Sequence, residues 1–393
     1  MERIGIYGGT FNPPHIGHIS AAIQAADALR LDRLLLIPDR IAPHKQLPEG
    51  SATPEQRLQM LTLAAKSHPK LEICDMELRR EGTSYTYLTI LELRRQYPDA
   101  QLILIMGTDM FLSFGSWKNP DIILENASLG VLFRGEKGEE EAISQKKAEM
   151  EAAGAAVELV KNEIVSISST DLRRMLVFRC ADDFLPEGVN AFIQMNNLYQ
   201  TGLNYRHMPI PKLEKTVVSL LKENRVAHVL GCRDTAVQLA RHWGADETDA
   251  ERAALLHDIT KALDGKLQLT LCKEYGIMLG AFSKANPKTL HALTGSLVAQ
   301  RIFGENEAVV NAVRHHTTGK ADMTLLEKII YVADYMEPNR DFPGVDKLRE
   351  LAFVDIDAAL KLGLEMTIAM LQQQGREISE ESMQALMWLN ERK

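Results

Sequence analysis

The stretch GGTFNPPHIGH at residues 8–18 limits the possible folds of this chain more than any other segment. It follows an apolar run, residues 4–7, that is short enough to be a buried strand. The residues from Ile16 onwards are rich in Ala, Ile, Leu and Gln with helical periodicity, which predicts a helix. The stretch is therefore a strand-to-helix turn, which is where an open α/β sheet normally binds its ligand.

The residue types in this turn point to a phosphate ligand. Gly8 and Gly9 let the backbone approach a phosphate closely, and the exposed N–H groups at a helix start favour an anion. His15 and His18 are three residues apart, so they lie on one side of the first helical turn, and Gly17 between them leaves space for a ligand. A single histidine here would more often be structural, but two at this spacing favour a binding site.

Strands and helices alternate through the first half of the chain. Further apolar runs predict strands at residues 33–38, 71–74, 101–106 and 128–134. Helices are predicted at about 85–96 and in the Glu/Lys-rich run 135–151. This alternation predicts a Rossmann-like α/β domain with a mostly parallel, doubly wound sheet.

Other segments at the same sheet edge carry candidate ligand contacts. Lys45 lies in the loop after the second strand, where it can reach a phosphate. Asp109 follows the 101–106 strand, where a carboxylate can accept a hydrogen bond from a ribose hydroxyl or a base. Trp117 lies nearby and can stack on a flat ring. The run ISSTDLR at 167–173 combines hydroxyls, helix-start N–H groups and a guanidinium, which suits a polyphosphate.

The first half resembles the nucleotidyltransferases that carry the T/HxGH signature. The strings GGTFNPPHIGH and ISSTDLR resemble nicotinate mononucleotide adenylyltransferases in particular, over residues 1–203. This resemblance implies transfer of AMP from ATP to nicotinate mononucleotide, giving deamido-NAD and pyrophosphate, with Mg²⁺ bridging the phosphates. The histidines would then donate hydrogen bonds to the transition state and would not act as nucleophiles, because such a displacement depends on positioning and charge stabilisation.

The resemblance also implies roles for individual residues. Catalytic roles fall on His15, His18, Lys45 and Arg173. Contacts with ATP fall on Gly8, Gly9, Thr10, Phe11, Ser168, Ser169 and Thr170. Contacts with the nicotinate nucleotide fall on Thr86, Gly107, Asp109 and Trp117.

Length and composition bound the remaining possibilities. A chain of 393 residues predicts two or three domains. The net charge of −8 argues against a general nucleic-acid-binding surface. The four cysteines form no CxxC pair, no signal peptide is recognised, and no apolar run approaches the ~18 residues that span a bilayer. We therefore expect a cytoplasmic protein that binds neither nucleic acid nor membrane.

The pattern changes after residue 203. Residues 201–212 lose helical periodicity and carry Pro-Ile-Pro, which predicts a linker at 204–212 between domains at 1–203 and 213–393. From Leu213 onwards the sequence predicts helices throughout.

Histidines and aspartates recur along these helices. An adjacent His257-Asp258 pair after Leu-Leu is unusual, because burying an ionised carboxylate is costly without a cation. His228, His291, the pair His315-His316, and Asp334 lie in four further segments. Together they predict a metal centre, and imidazole with carboxylate suits Fe, Mn, Co or Zn.

The order H…HD…H…HTTG…D resembles the HD superfamily. The strings LLHDITK, HHTTG and ADYMEPNR resemble, within it, the YqeK-like symmetrical diadenosine tetraphosphatases. This resemblance implies hydrolysis of diadenosine tetraphosphate to two ADP at a pair of divalent metals, with iron as the first choice. Two metals roughly 3.5–4 Å apart can clamp a phosphate for in-line attack.

The HD resemblance implies a ligand set as well. One metal would be bound by His228, His257, Asp258 and Asp334, and Asp258 would bridge to a second metal bound by His291 and His316. His316 is favoured over His315 because it directly precedes Thr-Thr-Gly. Lys261, Thr317 and Arg340 would contact the substrate.

The leading hypothesis is a bifunctional enzyme whose substrates are ATP, nicotinate mononucleotide and diadenosine tetraphosphate or related nucleotides. One alternative keeps the first fold but transfers the nucleotide to nicotinamide mononucleotide or phosphopantetheine. Another makes the helical domain a nucleotide-sensing module, or an enzyme acting on other nucleotides. A homo-oligomer is compatible with the leading hypothesis and with both alternatives.

Overall fold

A parallel sheet organises the first half of the chain. The computed structural model describes residues 1–43, 47–66, 68–133 and 138–391, and six strands within these ranges form the sheet. The strands are β1 (Arg3–Gly9), β2 (Arg33–Pro38), β3 (Leu71–Ile73), β4 (Gln101–Gly107), β5 (Ser128–Leu132) and β6 (Val157–Val160). Their order is β3-β2-β1-β4-β5-β6 and every neighbouring pair is parallel, which confirms the predicted doubly wound sheet.

The strand order reverses at β1, because β2 pairs on one side of it and β4 on the other. Such a switch point leaves a crevice beyond the carboxyl ends of the strands. The GGTFNPPHIGH turn leaves β1 at this point, so the sheet topology places the turn where a ligand would bind.

Helices cover both faces of the sheet. They are α1 (Ile16–Ala28), α2 (Pro54–Ala65), α3 (Met76–Arg79), α4 (Thr86–Gln96), α5 (Thr108–Leu112), α6 (Pro120–Asn126), α7 (Glu139–Ala152), α8 (Ser169–Val177) and α9 (Val189–Met195). On one face, Ile4 and Leu104 pack in a cluster with Ile90 of α4. On the other, a Cβ at Gly130 would lie 2.8 Å from Leu29, directly after α1, so glycine is needed for this close approach.

One strand and one helix boundary depart from the predictions in an instructive way. β6 was not predicted, because its four residues are too few to show a strand period. The helix predicted at 135–151 begins later, as α7 at Glu139, where Gly138 precedes it with φ of 82°. Glycine adopts this left-handed conformation without strain.

In the described residues of the second half, every regular secondary-structure element is a helix, as predicted. The chain divides into two compact units, Met1–Leu203 and Asn204–Lys393, which we call the first unit and the helical unit. The helices of the second are α10 (Ile210–Leu220), α11 (Glu223–Trp243), α12 (Glu247–Leu256), α13 (Gly265–Glu274), α14 (Ala281–Ala285), α15 (Leu290–Val298), α16 (Glu307–His315), α17 (Leu325–Met336), α18 (Val345–Ala352), α19 (Ile356–Gln373) and α20 (Glu380–Glu391). Of these, α11, α12, α16 and α17 pack on one another.

The residues predicted as a linker, 204–212, pack against the helical unit. Tyr205 and Met208 are buried, and the Tyr205 ring lies edge-on to Phe303 at 5.6 Å between centroids. Arg252 donates to the Met208 carbonyl at 2.8 Å, and α10 begins at Ile210. The apolar side chains of this segment therefore belong to the core of the helical unit. The Pro and Gly content that predicts a linker carries no information about this burial.

Among the described residues, we find no helix that combines the length and hydropathy required to cross a membrane.

Candidate functional sites

The turn after β1 is closely packed around its two histidines. The rings of His15 and His18 stack with 3.6 Å between centroids, and Phe11 lies edge-on to His18 at 5.1 Å. Phe11 is buried, so its ring supports His18 from the core side. A Cβ at Gly17 would lie 3.0 Å from the His15 ring and 3.2 Å from the Val165 carbonyl. Gly17 thus allows the chain near Val165 to approach, and its role in leaving space for a ligand stays a prediction.

The protonation of these histidines follows from their surroundings. Burial lowers the pKa of His15 to about 3, so its imidazole is neutral at neutral pH. The backbone N–H of His15 donates to Nδ1 of His18 at 3.2 Å. Because Nδ1 of His18 accepts this bond, the ring proton resides on Nε2. His18 therefore offers an N–H donor at the switch point of the sheet.

A buried arginine holds the backbone of the turn. Arg57 of α2 is 0% exposed and donates to the Thr10 carbonyl at 2.7 Å and to the Asp39 carboxylate at 3.1 Å. Thr10 Oγ1 donates to the other oxygen of Asp39 at 2.7 Å. This network ties the turn to the carboxyl end of β2, directly before Asp39.

Replacing Arg57 with Met is expected to lower the free energy of unfolding of the first unit by about 3–5 kcal/mol, because the Asp39 carboxylate is left buried without its cation. Urea denaturation of the full chain measures this, followed by Trp117 fluorescence after the other two tryptophans are replaced with Phe.

Lys70→Met is the matched control for this measurement. The Lys70–Asp27 pair is exposed, with side-chain accessibilities of 37% and 62%, so its loss should change the unfolding free energy by less than about 1 kcal/mol. Equal effects of the two substitutions would contradict the structural role assigned to Arg57.

The ISSTDLR segment is brought directly onto the turn. Ser168 caps α8 by accepting from the Asp171 N–H at 3.0 Å, and Ser169 Oγ donates to the Pro13 carbonyl at 3.0 Å. Arg173 donates to the Asn12 carbonyl at 2.8 Å and to Thr170 Oγ1 at 3.0 Å. The two predicted phosphate-binding motifs therefore form one continuous surface, although they are separated by about 150 residues in the chain.

The remaining predicted contacts of the first unit lie on separate elements. Thr86 begins α4, Gly107 ends β4 and precedes α5, and Asp109 lies exposed in the first turn of α5. Trp117 is partly buried and its ring lies 5.3 Å from that of Phe114. Convergence of these residues on a nicotinate nucleotide stays a prediction. Lys45 lies outside the described residues.

In the helical unit, the predicted ligands converge on Asp258. Its Oδ2 lies 3.8 Å from Nε2 of His228 and 3.6 Å from Nε2 of His257. Its Oδ1 lies 3.4 Å from Nε2 of His291 and 3.7 Å from Nε2 of His316. The carboxylate thus faces one pair of histidines with each oxygen, in the position of a bridging ligand.

Asp334 completes the first of these two groups. Its Oδ1 lies 3.0 Å from Nε2 of His228 and 3.8 Å from Nε2 of His257. The ligand atoms of His228, His257 and Asp334 form one close group, and those of His257, Asp258 and His316 form a second. His291 adds a sixth side chain, 3.4 Å from Asp258 Oδ1. We call the side chains of His228, His257 and Asp334 the first group, and those of His291 and His316 the second group, with Asp258 shared.

Each histidine is oriented by an acceptor on its other ring nitrogen. Nδ1 of His257 contacts the Ala254 carbonyl and Nδ1 of His316 the Val313 carbonyl, both at 2.6 Å. Nδ1 of His291 contacts the Lys288 carbonyl at 2.8 Å, and Nδ1 of His228 contacts Glu337 Oε1 at 3.1 Å. An acceptor on Nδ1 places the proton there and leaves Nε2 as a lone-pair donor for a metal.

The comparisons with known proteins divide at the same place as the structure. A cytidylyltransferase-like family model matches residues 6–175, and an HD-domain model matches residues 225–339. The symmetrical bis(5'-nucleosyl)-tetraphosphatase of Bacillus subtilis (strain 168) is 39% identical over 171 residues, 43% of this chain and 91% of that protein. The "Probable nicotinate-nucleotide adenylyltransferase" of Geobacillus thermodenitrificans is 37% identical over 199 residues, 51% of this chain and 87% of that protein.

The chain belongs to both the cytidylyltransferase-like family and the HD-domain family. Its first unit is an adenylyltransferase unit and its helical unit is an HD unit. The crystal structure of a predicted HD superfamily hydrolase involved in NAD metabolism from Clostridium acetobutylicum is 38% identical in sequence. The match covers 47% of this chain and 99% of that chain, with a TM-score of 0.46.

The protonation states in the HD unit fit a pair of divalent cations. Burial lowers the pKa of His257 to about 4 and that of His291 to about 3, so both imidazoles are neutral at neutral pH. Burial alone would raise the pKa of the Asp258 carboxyl, but the surrounding histidines and Lys261 hold it well below its usual range. Neutral imidazole and ionised carboxylate are the forms that bind metals.

Two orphaned atoms support the same fit. Asp258 Oδ1 and His316 Nε2 are buried, face each other at 3.7 Å, and have no hydrogen-bond partner within the described part of the chain. Two buried acceptors left unpaired are costly, and a cation between them would satisfy both. His316, and not its neighbour His315, faces Asp258.

Three cationic side chains lie around the first group, the second group and Asp258, which together we call the HD centre. Arg225 donates to Asp258 Oδ2, Arg340 donates to Asp334 Oδ1 at 2.7 Å, and Lys261 Nζ lies 2.9 Å from Nε2 of His291. Of the predicted substrate contacts, Lys261 and Arg340 therefore lie next to candidate ligands. The third, Thr317, directly follows His316 and has a buried hydroxyl without a partner among the described residues.

Sequence reasoning assigned no role to four residues that the structure places at these sites. In the adenylyltransferase unit, Arg57 holds Thr10, and Tyr199 donates to the side chain of Asn12 at 2.8 Å. In the HD unit, Arg225 and Glu337 contact candidate ligands. Arg225 lies three residues before His228 and Glu337 three residues after Asp334, so helical spacing from a ligand was the available signal.

Proposed function

We propose that this chain is a bifunctional enzyme. Its adenylyltransferase unit transfers AMP from ATP to nicotinate mononucleotide, releasing pyrophosphate and forming deamido-NAD. Its HD unit hydrolyses diadenosine tetraphosphate symmetrically into two ADP. The activities in the names of the relatives support both assignments, since each relative is matched over most of its length.

The observation that carries the first reaction is the donor surface at the switch point of the sheet. An oxygen of the nicotinate mononucleotide phosphate attacks the α-phosphorus of ATP, and the bond to the β-phosphate oxygen breaks. His18 Nε2–H and the N–H groups at the start of α8 donate to the charge that develops on the phosphates. His15 is neutral and stacked on His18, so it holds the donor ring in place. A Mg²⁺ held largely by ATP and water would reduce the negative charge on the leaving pyrophosphate.

The observation that carries the second reaction is the convergence of four histidines and two aspartates. Water attacks one of the two central phosphorus atoms, and the oxygen that bridges to the other central phosphorus leaves with the second ADP. The two divalent cations, with iron as our first choice, supply Lewis-acid stabilisation of the phosphate charge when bound. Arg225, Lys261 and Arg340 orient the polyphosphate through charge-assisted hydrogen bonds.

The test uses the full chain, purified and loaded with Fe²⁺ without oxygen. With ATP and nicotinate mononucleotide, we expect equimolar pyrophosphate and deamido-NAD, with lower kcat/KM for nicotinamide mononucleotide and no turnover of phosphopantetheine. With diadenosine tetraphosphate, we expect ADP as the product by chromatography. Formation of ATP and AMP instead would contradict the symmetrical cleavage, and a preference for another acceptor would contradict the first assignment.

A further inference from the structure

His228 differs from the other three histidines of the HD centre in how it is oriented. His257 and His316 directly follow the last residues of α12 and α16, and His291 lies at the start of α15. The carbonyls of the last helical turn, and those of the turn before a helix, have no partner within the helix, so each can accept a hydrogen bond from the side chain three residues later. His228 lies inside α11, where the carbonyls of the preceding turn accept helical N–H groups. Its Nδ1 therefore needs an acceptor from elsewhere, and this acceptor is Glu337.

Glu337 is a buried carboxylate held in a fixed position. It is 1% exposed, its Oε1 contacts His228 Nδ1, and its Oε2 accepts from Asn339 N and Nδ2 at 2.7 and 2.8 Å. Asn339 Nδ2 also donates to the Ala227 carbonyl at 3.0 Å. A Cβ at Gly231 would lie 2.4 Å from Glu337 Oε2, so only glycine at this point of α11 leaves room for the carboxylate.

The charges around the two groups are unequal. The first group has Asp334 as a ligand and Glu337 behind His228, with Arg340 beside Asp334. Among the described residues, the second group has no carboxylate besides the shared Asp258, and Lys261 lies against His291. Arg225 contacts Asp258 Oδ2, the oxygen that faces the first group, so among the described residues two arginines balance the two unshared carboxylates there, whereas Lys261 at the second group is balanced by no unshared carboxylate. A cation is therefore attracted more strongly to the first group.

We propose that Glu337 is a positioning residue that holds His228 with Nε2 unprotonated and makes the first group the tighter of two unequal metal sites. This inference rests on the proposed hydrolase function and adds an order of filling: the first group binds a cation before the second. A carboxylate behind a metal-binding histidine also raises the basicity of the imidazole.

Glu337→Gln isolates this role because an amide cannot satisfy both of its neighbours. If its oxygen accepts from Asn339, its NH₂ group faces His228 Nδ1 and forces the ring proton onto Nε2, which blocks the metal. If its oxygen accepts from His228, its NH₂ group faces the N–H donors of Asn339. Either arrangement weakens the first group without touching a ligand.

The experiment is an equilibrium titration of the metal-free full chain with Mn²⁺, with free Mn²⁺ measured by electron paramagnetic resonance. The native chain should bind two Mn²⁺ in two resolved steps. Glu337→Gln should weaken the tighter step by about 10- to 100-fold and leave the weaker step unchanged, which is the scale for loss of such a supporting partner. Circular dichroism checks that the variant is folded.

Glu327→Gln is the matched control. Glu327 is also a fully buried carboxylate, and it lies in the first turn of α17, where it accepts from the Thr324 N–H in a capping box. Glutamine serves equally in this box, so both Mn²⁺ steps should remain native.

Gly231→Ala provides a second route to the same result. The added methyl group displaces Glu337 without changing its charge, and alanine favours the helix, so selective loss of the tighter step should recur. Weakening of both steps alike, or of neither, in the two variants would overturn the proposal. Failure of the native chain to bind any Mn²⁺ would instead overturn the hydrolase assignment.

Discussion

Asp258→Asn is expected to reduce hydrolysis of diadenosine tetraphosphate by roughly a thousandfold or more, the scale of loss when a member of an interdependent catalytic set is removed. The carboxylate faces His228 and His257 with one oxygen and His291 and His316 with the other. An amide offers one acceptor oxygen and an NH₂ group that repels a cation, so the bridge between the two groups is lost. Product chromatography measures the rate, and elemental analysis measures the bound metal, which should fall from two ions to one at most.

The same variant carries an internal control. Adenylyl transfer should stay within about twofold of the native rate, because Asp258 lies in the core of the other compact unit. Asp264→Asn is the matched substitution, since Asp264 caps α13 by accepting from the Leu267 N–H, and asparagine caps a helix equally well. Native hydrolysis by Asp258→Asn would refute the metal centre.

His18→Ala should reduce kcat for adenylyl transfer by about 10²–10³-fold, the cost of removing one donor aimed at developing charge. The His18 ring carries its proton on Nε2, because its Nδ1 accepts from the His15 N–H. Alanine removes this donor and leaves the helical backbone of α1 intact. Since the donor acts mainly in the transition state, kcat and kcat/KM for ATP should fall together. A continuous assay of pyrophosphate release measures both constants.

His68→Ala is the control for this substitution. His68 lies before β3, at the amino end of the sheet and away from the switch point, and its Nδ1 accepts from the Lys70 N–H. His68→Ala should retain a near-native rate of adenylyl transfer, and His18→Ala should retain a near-native rate of diadenosine tetraphosphate hydrolysis. If His18→Ala kept transfer within threefold, the stacked histidines would be structural only.

Much of the adenylyltransferase unit could be predicted because its signals are local. The GGTFNPPHIGH turn, the strands around it and the cap of α8 each lie within one short stretch of sequence, where period and capping chemistry are visible. β6 escaped prediction because four residues do not establish a period, and its identity as a strand depends on pairing with β5. The clamp of Arg57 on Thr10 and Asp39 escaped because those partners are chosen by packing, not by spacing.

In the HD unit, the metal centre could be predicted from the residue types alone, since five segments supply histidines and aspartates on apolar helices and burying the carboxylates without a cation is costly. The sequence could not choose between His315 and His316 by helical period. The fold distinguishes the two: α16 ends at His315, and Nε2 of the next residue, His316, faces Asp258 Oδ1 at 3.7 Å. Tertiary structure alone also paired Glu337 with His228, 109 residues away, because only the packing of α17 on α11 brings that carboxylate behind the imidazole.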